Sequence, residues 1–138
     1  MSVTVQWLDE QNDILIYELY GKWTWHEFYG AFEKARGLMA SVPHTVYAIT
    51  IARDDNARHH IPPHILTHFP IITRKLPPNA GTAAMVVNGF NPIWRSMYNA
   101  VVKLYPPFGQ RVRMVPSEME AVKQLSEIRT QEKLSRTA

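Results

Sequence analysis

A strand has to become a helix within a few residues at Tyr20-Gly21-Lys22-Trp23-Thr24-Trp25-His26-Glu27. Before this junction, residues 14–20 alternate as a strand does. Ile14, Ile16, Glu18 and Tyr20 share one face, and Leu15, Tyr17 and Leu19 share the other. After it, Phe28, Phe32, Ala35 and Met39 recur at three- and four-residue spacing, which predicts a helix from Trp25 to about Ser41 with one buried stripe. Thr24 and Glu27 have the spacing of a capping box, in which each side chain satisfies a free backbone N–H at the helix start. Pro43 ends the helix.

The same reading extends along the chain. Val3–Leu8 is a first strand, joined to the second by the polar turn Asp9–Asp13, and so short a link favours an antiparallel hairpin. Val46–Ile51 is dense in β-branched residues, as a buried strand should be. A charged loop at Ala52–Ile61 precedes Pro62-Pro63, which suits the first turn of a helix reaching about Lys75, bent or shortened at Pro70. Thr82–Val87 is the fourth strand. Asn91 caps a helix that starts at Pro92, buries Ile93, Met97, Ala100, Val101 and Leu104, and stops at Pro106-Pro107. Arg111–Val115 is the fifth strand. Ser117 and Glu120 open a last helix, with Met119, Val122, Leu125 and Ile128 inward. Residues 131–138 read as a polar, frayed tail. The order β-β-α-β-α-β-α-β-α predicts one α/β domain over residues 1–130: a single five-stranded mixed sheet with four helices.

The totals set outer bounds. At 138 residues, the chain is long enough for one domain with a core of its own. It has no cysteine, hence no disulfide and no cysteine-based metal or redox chemistry. The start, Met1 to Trp7, lacks the basic and apolar regions of a signal peptide, and no apolar run is long enough to span a bilayer, so a cytoplasmic protein with no membrane contact is expected. The net charge is +3, with Lys and Arg scattered, and no nucleic-acid partner is expected.

This element order resembles the STAS family, named for sulphate transporters and anti-sigma factor antagonists. Four segments carry the likeness, which covers residues 3–130: Ile14–Gly21 with the helix start after it, Val46–Ile51, Thr82–Val87 behind a Pro/Gly turn, and Arg111–Ala121. The resemblance implies a regulatory protein–protein interaction domain, comparable with anti-sigma factor antagonists and expected to be homodimeric. Family members that are switched by phosphorylation carry a Ser or Thr at the start of the second helix. The matching stretch, Arg53–Leu66, holds none, so the phospho-switch does not carry over. Lipid-binding folds of similar element order stay open.

Candidate sites each have a plainer reading. His60, His64 and His68 lie four residues apart and can share one helix face, as a metal set or as a solvated, pH-responsive surface. No Cys or acidic residue occurs between Asn56 and Glu118 to complete a metal set, and no metal or cofactor is expected. Asp54 and Asp55, beside Arg58, follow the central strand, where α/β sheets place ligands, and they also make a good turn. Trp23, Trp25, Phe28 and Tyr29 are either core or an interface hot spot. Trp94, Tyr98 and Tyr105 share a stripe on the third helix, for a partner, a second subunit or a pocket. An alternative function follows: an apolar small-molecule or lipid site between the second and third helices and the sheet, lined by Ile65, Phe69, Trp94 and Tyr98. Catalysis finds no motif, since there is no Gly-x-Ser-x-Gly elbow, phosphate loop or dinucleotide fingerprint, and only six glycines in all.

Overall fold

A computed structural model describes residues 2–86 and 92–137, without the side chains at 92–94, 108, 136 and 137. The order is β1 (Val3–Trp7), β2 (Ile14–Leu19), α1 (Trp25–Ala40), β3 (Val46–Ala52), α2 (Asp55–His59), α3 (Ile65–Arg74), β4 (Ala80–Val86), α4 (Pro92–Leu104), α5 (Pro106–Arg111), β5 (Val112–Val115) and α6 (Glu118–Thr137). The strands form one five-stranded sheet in the order β1-β2-β3-β4-β5. The pair β1–β2 is antiparallel, and the pairs from β2 to β5 are parallel. This is the mixed α/β sheet that the sequence pattern predicts.

Topology decides which face each helix covers. Every parallel connection steps to the next strand in the same direction, and right-handed crossovers then place their helices on one face. Residues of α1 and α3 accordingly share a core with Val3, Val5, Leu15, Tyr17 and Leu19, and Met97 of α4 packs against it. Among the described residues the opposite face is covered by α6, whose Ala121 and Leu125 close over Ile14, Ile16, Ile49, Ile51 and Ala84.

The helix count departs from four because two further short helices form in segments expected to be connections. Asp54 caps its own short helix α2 through Ala57 N at 2.8 Å. Pro62 and Pro63 therefore fall in the connection to α3 and do not open a helix. Past α4, Pro106 does not end helical structure but takes the first position of α5, where its missing N–H is no loss. The last helix also runs on through the expected tail to Thr137. Long-range pairs hold it there: Tyr47 Oη donates to Glu132 at 2.6 Å, and Arg129 meets Asp13 at 2.6 Å.

Two residues expected inside are outside. Met119 is 82% exposed because the inward series of α6 is Ala121, Leu125 and Ile128, and two residues of helix turn Met119 away from it. Leu104 is 73% exposed; it is the last residue of α4, beyond the inward Val101.

Two glycines answer to local demands. Gly21 has φ +59°, the left-handed region that lets β2 turn toward α1. A Cβ on Gly81 would come within 2.7 Å of Thr45 Cγ2 and 2.9 Å of the Tyr47 ring, so only glycine fits beside the β3–β4 register shift.

Candidate functional site: an aromatic-walled cavity

The capping box forms as its spacing predicts. Glu27 N donates to Thr24 Oγ1 at 3.2 Å, and Thr24 N donates to Glu27 Oε1 at 3.1 Å. This fixes where α1 starts, and so fixes Trp23 and Trp25 against the sheet. Both indoles are buried in the core. The rings pack edge to face: Trp23 against Trp25 at 84°, Trp25 against Phe28 at 76° and Trp25 against Phe69 at 90°.

Beside these rings lies a cavity of about 120 Å³ between α1, α3 and the sheet. Its walls, among the described residues, include Tyr17, Trp23, Trp25, Phe28, Phe32, Phe69 and Ile72. Its floor is the sheet, where Ala48 on β3 pairs with Ala83 on β4. The space follows from that pairing. Two adjacent methyl groups stand where a longer side chain from either strand would fill the gap beneath the rings. The surroundings are apolar, and burial pushes the Tyr17 phenol well above its ordinary pKa. The Trp23 Nε1 is buried with no hydrogen-bond partner among the described residues.

The connection His60–His64 between α2 and α3 is fastened to these same wall residues. Trp25 Nε1 donates to the Pro63 carbonyl at 2.6 Å, and His60 Nε2 lies 2.8 Å from the Trp23 carbonyl. Asp54 ties the strand ends together as well. Its carboxylate accepts from Gly21 N at 3.0 Å and from Ala57 N at 2.8 Å. Asp54 is thus a structural cap, while Asp55 is exposed and pairs with Arg58 at 3.0 Å.

The three histidines do not converge. His60 turns to the Trp23 carbonyl, and His64 sits at the start of α3 with φ 66°. His68 stacks on Trp25 at 4.5 Å, with Nδ1 2.8 Å from Tyr29 Oη. Among the described residues no group of three or more His, Asp or Glu is placed to hold a metal. Burial, and then the charge of His64, hold the His68 imidazole below its ordinary pKa. The folded state therefore binds the proton less readily than the unfolded one. Stability contributed by neutral His68 is complete above about pH 6.5 and is lost as pH falls through the lower folded value. An NMR titration of the His68 ring is expected to give a midpoint below 6.5, with urea midpoints declining over the same interval; a midpoint at or above 6.5 would contradict this environment.

The expected pocket differs in position from the cavity. The sequence places that pocket between the second and third helices and the sheet, lined by Ile65, Phe69, Trp94 and Tyr98. The cavity lies instead against the first helix, α1, and of those four only Phe69 lines it among the described side chains. Ile65 is core, packed in the cluster around α1 and the sheet. Tyr98 donates to the Val112 carbonyl at 2.7 Å, and Tyr105 is half-buried where α4 passes into α5. The Trp94 side chain, and with it Phe90 and the cap Asn91, lies outside the described residues. The sequence did mark Trp23 and Trp25 but left them between core and interface. Their tie to Pro63 spans 38 residues, beyond any local pattern.

No family model, curated protein or solved structure matches this chain. No helix among the described residues is long and apolar enough to cross a membrane.

Proposed function

We propose that this chain is a STAS-like regulatory domain that binds a small apolar molecule in the cavity between α1, α3 and the sheet. One observation carries the reading: an apolar cavity walled by Tyr17, Trp23, Trp25, Phe28, Phe32 and Phe69. Well-packed cores leave few spaces larger than a water, and an apolar space lined by rings favours apolar molecules. The STAS-like part is supported by the antiparallel opening hairpin followed by parallel strands. The segment that matches the family's phosphorylated region here forms α2 and the His60–His64 connection, without Ser or Thr. A ligand against Trp23 and Trp25, to which that connection is hydrogen-bonded, can take the switch's place by moving the same surface through them. The reading sets the protein in a reducing cytoplasm, which suits a chain free of cysteine.

Thermal unfolding against a panel of neutral apolar molecules tests this. A ligand that binds only the folded state raises Tm by mass action, by about 2.7 kcal/mol of stability at one hundred times its Kd. A rise of several degrees with at least one panel member is expected. No shift with any member would contradict the reading.

A second reading, an interaction module, is favoured by charge. Between Asn56 and Glu118 there is no carboxylate, yet the stretch holds Arg58, Arg74, Lys75, Arg95, Lys103, Arg111 and Arg113. The protein partner this suits is acidic, and its binding would weaken steeply with added salt.

A further inference from the structure

We propose that the occupant of the cavity is a single neutral aromatic ring, of benzene to toluene size. This rests on the apolar-ligand reading and names the class of ligand.

Size comes first. The cavity holds about 120 Å³. An apolar cavity of about 150 Å³ takes up benzene, whereas pockets for drug-sized ligands run from about 300 to 1,000 Å³. An extended acyl chain does not fit in this space. Shape comes second. The walls are largely rings already standing edge to face, and a planar ring among them gains the same offset and edge contacts. Charge comes third. No side chain that is ionised at neutral pH lines the cavity among the described residues, and the Thr73 hydroxyl in its wall already donates to the Phe69 carbonyl at 2.9 Å. A carboxylate or an ammonium would lose its water there and find no counter-charge among the described residues.

The test is an NMR titration of the full chain with toluene, decanoate and tetramethylammonium in turn. Toluene is expected to bind saturably with a Kd below about 1 mM, and the other two are not. Ala83→Leu fills the floor and is expected to lower toluene affinity at least tenfold while circular dichroism stays unchanged. If that variant does not fold, Ala48→Val serves the same purpose from the paired position. Toluene binding that survives in a folded, filled variant would overturn the site. Decanoate or tetramethylammonium binding in place of toluene would overturn the ring class; with decanoate the broader apolar-ligand reading stands. If no probe binds in the titration and none shifts Tm, both fall.

Discussion

Replacing Trp25 by alanine is expected to destabilise the fold by about 4 kcal/mol, within the range for emptying a buried aromatic site. Trp25 is 8% exposed and sits at the centre of the ring cluster. It stacks on His68 at 4.5 Å and meets Trp23, Phe28 and Phe69. It also holds the connection before α3 through the Pro63 carbonyl at 2.6 Å. Truncation would merge the site of the lost indole with the existing cavity, so the surroundings have little to collapse onto. Trp25→Phe keeps a ring but loses the N–H and part of the indole's bulk, and is expected to cost about 2 kcal/mol. Urea denaturation measures both. A Trp25→Ala loss below about 1 kcal/mol would mean that the indole is not packed as described.

Replacing Arg129 by alanine is expected to cost about 3 kcal/mol, the low end for removing one partner of a buried ion pair. Asp13 is 8% exposed, and its Oδ2 meets Arg129 Nη1 at 2.6 Å. The other oxygen, Oδ1, has no hydrogen-bond partner among the described residues. Without Arg129 the buried carboxylate is left uncompensated. Arg129 Nη1 also donates to Gln11 at 2.8 Å, so the same change frees the β1–β2 turn from α6. The side chain of Arg129 is 22% exposed, which keeps the loss from the top of the range. Adding Asp13→Asn to Arg129→Ala removes the stranded charge and is expected to recover about half of the loss. If the double variant is less stable than Arg129→Ala alone, the stranded carboxylate is not the cause.

What the sequence made legible was local. The Thr24–Glu27 box and the Ser117–Glu120 cap lie within one turn, and both form, the second through Glu120 N donating to Ser117 Oγ at 3.1 Å. Alternation from Ile14 to Leu19 fixed which side chains face which layer, because a strand has only two faces, and the β-branched density of Val46–Ile51 marked the buried strand beside it. The cavity was hidden for the opposite reason. It depends on Ala48 lying beside Ala83, a pairing set by β3–β4 register across 35 residues. Nothing in either strand's own pattern distinguishes a floor of methyl groups from ordinary packing. The short helix α2, in a segment that reads as a loop, was closer to legible. Asp54 has good cap chemistry, and reading Asp54-Asp55-Asn56 as a helix start instead of a turn would have found α2. The length of α6 beyond Ile128 was not, since Arg129 and Glu132 look like a solvated tail until their partners Asp13 and Tyr47 are in place.

The measurement that bears most directly on the ligand site is a crystal of the protein under xenon pressure. Xenon enters dry apolar cavities and scatters strongly enough to be located directly. Density for xenon between Ala48, Ala83 and the rings of Trp25 and Phe69 is the expected result. Side chains filling that space, with xenon absent from it, would remove the cavity and with it the proposed function.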